Sequence, residues 1–344
     1  MNSRQRQLYT IERKNTDRIS VDAICIENQA AIAKFLHIDI NDVLDRLGID
    51  GRIISAGYTG ELLESKDGIT FTEWGTPNTG DYGAWRKNPL TNIESVFEVE
   101  NYRWPNIKDY DFDRAGAYAK AIGDKYALRG PYWMPIFCRA CDLFGMEEAM
   151  VKMINNPAVF EATLEIIFIH TTEFCERLIL TCGDNLPILC LGDDFATQRG
   201  LMISPDYWRK FLKSRYAKLF EIGKKYGKFV WFHSCGDITS ILPDLIDIGI
   251  DVWETVQLHT LPISPQQLKK QYGKYITFFG GINTQRLPFM TSEEVRKEVI
   301  RCIEILGDGG GYICGPDHHI KPDVSAENTI TLFDTALSFH QKHL

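Results

Sequence analysis

KFVWFHSCGDITSILPDLIDIGIDVWETVQ, residues 228–257, carries the pattern that decides the fold. A short apolar run, Phe229–His233, ends in polar residues. An amphipathic stretch follows, and a second apolar run, Asp251–Thr255, begins just after Gly249. Short apolar runs alternating with helical stretches mark βαβ units and a parallel sheet. The same rhythm extends in both directions. Ala127–Met134 and Leu186–Gly192 precede the quoted stretch; Tyr275–Gly280 and Gly311–Cys314 follow it. Val21–Ile26 and Arg52–Ala56 bring the count to a full barrel's worth of strands. The predicted fold is an α/β (β/α)8 TIM barrel forming a single domain over residues 1–344. An N-terminal helical arm and an insert near residues 58–100 are expected to elaborate it.

End signals place the helices. Ser204 can cap a helix that has Pro205 at its first position and runs to about Tyr226, stopping at Gly227. Thr291 and Glu294 form a capping box for a helix ending at Gly307. Ala30–Leu36 and Ala158–Thr181 read as further helices. In the insert, GITFTEWG at 68–75 alternates like a hairpin strand.

Composition excludes several classes. The chain has 344 residues, 44% hydrophobic and 24% charged, ordinary values for a globular barrel. Its net charge of −8 is spread out, and no Lys/Arg run suggests nucleic acid. No apolar stretch is long enough to span a membrane, and the charged N-terminus lacks a signal-peptide core. A cytoplasmic protein is expected. The 9 cysteines are irregularly spaced and read as reduced thiols or metal ligands.

Barrel enzymes build their active sites at the C-terminal ends of the strands. Here those ends supply Asp193 and Asp194, then His233-Ser234-Cys235-Gly236-Asp237, then Glu254 and Gln257, then Gly280, Gly281 and Asn283, then Cys314-Gly315-Pro316-Asp317. Residues two apart in a strand face the same side, so His233 and Cys235 can both face the barrel axis. Cys314 is expected to approach from across the mouth. Two thiolates and an imidazole suit a catalytic zinc with one open position. The competing reading is two buried thiols and a hydrogen-bonded histidine. Asp193 and Asp194 are candidate proton-transfer or substrate-binding groups, or loop carboxylates that cap a helix. Glu254 is a candidate fourth ligand or a partner that orients His233. His318 and His319 either enter the site or occupy an exposed loop, the latter favoured. Cys138 and Cys141 form a CxxC pair whose flanks read as a helix start. Cys25, Cys175, Cys182, Cys190 and Cys302 read as core, and His170 as a satisfied core histidine. Tyr58, Phe71, Trp74, Tyr82 and Trp85 either line a pocket or pack the insert.

With these residues, GPYWMPIF, FHSCGDITSILPDLIDIGID, FFGGINTQRL and GGGYICGPDHHI resemble the uroporphyrinogen decarboxylase superfamily. The resemblance covers most of the chain and implies a (β/α)8 barrel. The His-x-Cys-Gly and late-Cys pattern is similar to its zinc-containing corrinoid-dependent methyltransferases, which include methylcobamide:coenzyme M methyltransferases and O-demethylase methyltransferases. That branch implies zinc on His233, Cys235 and Cys314, and cobalamin carried by a separate corrinoid protein. It also implies a small methyl donor or acceptor, such as a methoxylated compound or a thiol. A homodimer is compatible with this reading. The decarboxylases proper carry an arginine-rich motif after the first strand, where this chain reads VDAICIENQAAIAKF without arginine. A carboxylate-rich tetrapyrrole calls for several cations. A metal-free decarboxylase and a non-catalytic binding barrel therefore rank below methyl transfer.

Overall fold

A computed structural model describes residues 1–65, 68–78 and 88–339. Tyr82 and Trp85 lie outside the described residues. Eight parallel strands form the main sheet: β1 (Ser20–Val21), β2 (Gly51–Ile53), β3 (Ala127–Pro131), β4 (Ile188–Gly192), β5 (Phe229–His233), β6 (Val252–Val256), β7 (Thr277–Ile282) and β8 (Tyr312–Pro316). Neighbours pair in chain order from β2 to β8, and β8 pairs with β1. The result is a (β/α)8 TIM barrel.

The remaining seam, between β1 and β2, is closed by Asp50. Its N–H donates to the Val21 carbonyl at 2.9 Å, and its Oδ2 accepts from the Val21 N–H at 3.1 Å. Arg6 and Arg18 pair with Oδ1 of the same carboxylate at 2.7 and 3.0 Å, which offsets the cost of burying it. Arg6 belongs to the helix Ser3–Ile11, whose last residue reaches the lumen cluster. The expected N-terminal arm is thus a plug in the barrel floor. Deeper in, Arg129 pairs with Asp22 at 2.6 Å.

Strand alternation sorts the core into two layers. Ala127, Cys190, Trp231, Val252, Phe279 and Ile313 fill the lumen. Their strand neighbours, such as Leu128, Leu189, Phe232, Trp253, Phe278, Tyr312 and Cys314, pack outward against the helices. This parity decides which residues can meet at the mouth.

The helices follow their end signals. Ser204 caps through the Tyr207 N–H, and the helical run from Pro205 to Lys225 contains a π turn at Arg209–Lys213. The Thr291–Glu294 capping box opens the helix Ser292–Leu306. In the insert, 68–78 folds back on itself as a very short antiparallel hairpin: Phe71 bridges Pro77, and the Thr72 and Asn78 N–H groups donate to the Thr76 and Thr70 carbonyls, both at 2.7 Å. Trp74 is 3% exposed and lies edge-on to His170 at 4.7 Å. Tyr58 packs on Tyr110 at 5.1 Å. These aromatics fasten the insert to the outside of the barrel, against the helix Pro157–Cys182. His170 on that helix is buried as expected, but both ring nitrogens lack hydrogen-bond partners. Aromatic edges, not hydrogen bonds, hold it.

Candidate active site at the barrel mouth

His233 ends β5 and, like Trp231 two residues earlier, faces the lumen. β6 sets Glu254 in register beside it. His233 Nδ1 lies 2.7 Å from Glu254 Oε1. That oxygen also accepts the Tyr132 hydroxyl at 2.9 Å, and Oε2 accepts the Trp231 indole N–H. Glu254 is fully buried and its oxygens are engaged, so it orients the imidazole instead of facing a substrate. Burial raises the Glu254 pKa, but hydrogen bonding to His233, together with the His233 and Arg129 charges, outweighs it and leaves the carboxyl below its ordinary value.

With Nδ1 held, Nε2 faces the mouth. It lies 3.5 Å from Cys235 Sγ and 3.6 Å from Asp194 Oδ1. One ligand atom from each of Asp194, His233 and Cys235 falls within 4.8 Å of the others. The turn carrying Cys235 is pinned twice. Asp194 Oδ1 accepts the Cys235 N–H at 2.8 Å, and Gln257 Oε1 accepts the Gly236 N–H at 2.8 Å. Gly236 has φ +78, and a Cβ there would come within 2.4 Å of the Thr197 carbonyl oxygen. Only glycine lets the loop after β5 approach that closely.

Burial disfavours a charged His233, yet the Cys235 sulfur and Glu254 outweigh it and raise its pKa well above the ordinary value. An imidazole nitrogen, a thiol sulfur and a carboxylate oxygen that converge on one point form a donor set that fits zinc.

A cavity of ≈ 450 Å³ opens over these groups, lined among others by Gln198, Gln257, Gln285, Cys235, His318 and Lys321. The His318 ring centroid is 6.3 Å from that of His233. Burial, then His319 and His233, press the His318 pKa down to about 4, which keeps a lone pair available.

Two expected site residues are placed elsewhere. Cys314 does not approach the mouth. Ile313 takes the lumen position on β8, so Cys314 turns to the helix layer with Tyr312. Burial there pushes its thiol up to about 12. Asp193 is fully buried and serves as a helix cap. Its Oδ2 accepts the Ile136 and Phe137 N–H groups at 3.0 and 2.6 Å and the Tyr216 hydroxyl at 2.7 Å. Its Oδ1 accepts the Cys138 N–H at 2.8 Å. Both oxygens are thus committed to the start of the helix Phe137–Phe144. Cys138 and Cys141 are buried on that helix, and burial raises both thiols well above their ordinary values.

Other residues had no clear sequence signal. Tyr132, from the loop after β3, reaches Glu254. Cys25, read as core, gathers at the mouth with Glu27 and His319.

The uroporphyrinogen decarboxylase (URO-D) family model matches residues 81–339. The chain belongs to this family. Among curated relatives, the uroporphyrinogen decarboxylase of Vesicomyosocius okutanii is 22% identical, the match covering 87% of this chain and 82% of that one. The methylcobamide:CoM methyltransferase MtaA of Methanosarcina barkeri is 23% identical over 55% of this chain and 52% of that enzyme. Among solved structures, a methyltransferase from Methanosarcina mazei superposes with a TM-score of 0.67 at 16% identity, covering 98% of each chain. That likeness bears on the fold, and it agrees with the barrel. The family thus contains enzymes named for decarboxylation and for methyl transfer, and the mouth chemistry must separate them. Among the described residues, no helix is long and apolar enough to cross a membrane.

Proposed function

We propose that this chain is a zinc-dependent methyltransferase moving a methyl group between a small substrate and the cobalt of a separate corrinoid protein. The observation that carries the reading is the convergence of His233 Nε2, Cys235 Sγ and Asp194 Oδ1 within 4.8 Å. His233 and Cys235 would hold the zinc, with His318 taking the place expected of Cys314. Zinc bound there supplies Lewis acidity, lowering the pKa of a substrate thiol or polarising an ether oxygen.

The chain's own residues do the rest. Glu254 keeps the Nδ1 side of His233 engaged, so that Nε2 presents its lone pair to the mouth. Asp194 fixes the Cys235 loop through its N–H bond and is the carboxylate we assign to proton transfer at the substrate. The carboxamides of Gln198, Gln257 and Gln285 give the cavity neutral polar walls suited to a small molecule. The corrinoid is expected to arrive on a partner that docks over the open mouth.

Decarboxylation of a tetrapyrrole is the second reading, favoured by the extent of the match to the decarboxylase relative. The cavity's charge speaks against it. Lys321 is the one Lys or Arg among its described lining residues, and it is already paired with Glu27 at 2.7 Å. Arg129 lies in the lumen below the mouth, over the Trp231 ring, and is committed to Asp22. A substrate rich in carboxylates would find few cations to bind.

Zinc content of protein purified under reducing conditions tests the reading, with Cys235→Ser and His318→Ala alongside. Zinc in the wild type that falls in both variants supports it. Metal-free protein that decarboxylates a porphyrinogen overturns it.

A further inference from the structure

We propose that a second divalent cation binds at the mouth, on Cys25, Glu27 and His319. One ligand atom from each of these residues lies within 4.8 Å of the others. The donor set is a thiol, a carboxylate and an imidazole, the combination that suits zinc and its borderline neighbours.

The two backbone segments under these side chains are hydrogen-bonded to each other. The segment after β1 runs parallel to the segment after β8, with a bridge between Ile26 and Ile320. The Ile320 N–H donates to the Cys25 carbonyl at 3.0 Å, and the Glu27 N–H donates to the Ile320 carbonyl at 2.9 Å. In extended backbone, alternate residues share a face. Cys25 and Glu27 therefore project together from one segment, and His319 and Lys321 from the other. Donors carried by a hydrogen-bonded ladder keep their spacing better than donors on a free loop.

A thiolate and a carboxylate neutralise a divalent cation, and imidazole binds as a neutral ligand. The bonds now made to Glu27 do not block the site. His319 Nδ1, at 3.2 Å, and Lys321 Nζ, at 2.7 Å, both meet Oε1. Among the described residues nothing is bonded to Oε2. With Oε2 turned to the cation and the His319 nitrogen transferred to it, Lys321 can stay on Oε1 and steady the carboxylate from outside.

The two donor groups are adjacent. His318 and His319 are consecutive, their ring centroids 4.7 Å apart, and His318 faces His233 while His319 faces Glu27. His319 and Lys321 line the same cavity as Cys235. A cation here would border the substrate cavity from the β1 side. Its binding does not require an ion on His233 and Cys235.

The test is uptake of Zn²⁺ and Co²⁺ by chelator-stripped, reduced protein in equilibrium dialysis. Cys25→Ser, His319→Ala, Cys235→Ser and the Cys25→Ser/Cys235→Ser double variant are compared with wild type. The expected result is two cations in the wild type, one in each single variant and none in the double variant. Thiolate-to-Co²⁺ charge-transfer absorption should fall to about half in each single cysteine variant. Thermal melts verify folding, and His319→Ala gives an answer that does not depend on the thiol. Equal uptake by wild type, Cys25→Ser and His319→Ala overturns the proposal. A single cation lost only in Cys235→Ser removes this site and leaves the first. A single cation lost only in Cys25→Ser and His319→Ala removes the first and leaves this one.

Discussion

His233 Nδ1 and Glu254 Oε1 lie 2.7 Å apart on neighbouring strands, and Glu254 is fully buried. A histidine held this way turns a fixed Nε2 toward the mouth. Glu254→Gln keeps the size of the side chain but removes the negative charge behind the ring. Zinc affinity, measured by competition with a chromogenic chelator, should fall by about 10–100-fold while the fold persists. Unchanged affinity would show that Glu254 does not tune His233.

Cys314 and His318 make opposite predictions. Cys314→Ala removes a sulfur from the helix-facing layer, so it should cost about 1 kcal/mol of stability and leave zinc stoichiometry intact. His318→Ala, at the cavity wall, should lower zinc occupancy with little change in melting temperature. Metal analysis beside thermal melts checks both. Zinc loss in Cys314→Ala would restore that cysteine as a ligand.

Much of this was legible in the sequence. β5 appears with its expected bounds, Phe229–His233, and the other strands overlap theirs, β1 by Val21 alone, because apolar runs of strand length were separated by clear helix caps. His233 and Cys235 were legible because strand end and i,i+2 spacing coincide. Cys314 was misassigned because its β8 neighbours, Tyr312, Ile313 and Gly315, are all apolar or small. Nothing local shows which parity faces the lumen until β8 is registered against β7. His318, Cys25 and Glu27 lie on segments after strand ends, where position depends on pairing between β1 and β8 sides far apart in sequence. Asp193 and Asp194 look alike in the chain. Only the helix start at Phe137 separates a cap from a mouth residue.

Asp193 is expected to matter for stability rather than for chemistry. Asp193→Ala leaves the N–H groups of Ile136, Phe137 and Cys138 and the Tyr216 hydroxyl without their acceptor. The cost should be about 2–4 kcal/mol, read from denaturant melts. Zinc content per folded molecule should be unchanged. A normal melt with lost turnover would return Asp193 to catalysis.

His170 should make the fold acid-sensitive. Burial, followed by the charge of Arg139, presses its pKa from 6.5 down to about 4. The folded state therefore binds the proton less readily than the unfolded chain. The stability it contributes is complete above about pH 6.5 and is lost as pH falls toward about 4, by of order 3 kcal/mol. His170→Phe should flatten that part of the stability–pH curve. An identical curve in the variant would place the acid sensitivity elsewhere.

Methyl transfer itself is the most direct test of the central claim. Zinc-loaded protein is mixed with cob(I)alamin, free or on a corrinoid protein, and a panel of methoxylated donors, and with methylcobalamin and a panel of thiols. The cobalt spectrum is followed in each case. The expected result is a change of cobalt methylation with at least one substrate, abolished in Cys235→Ser and on removal of zinc. No transfer across the panel, together with porphyrinogen decarboxylation by the zinc-free protein, would contradict it.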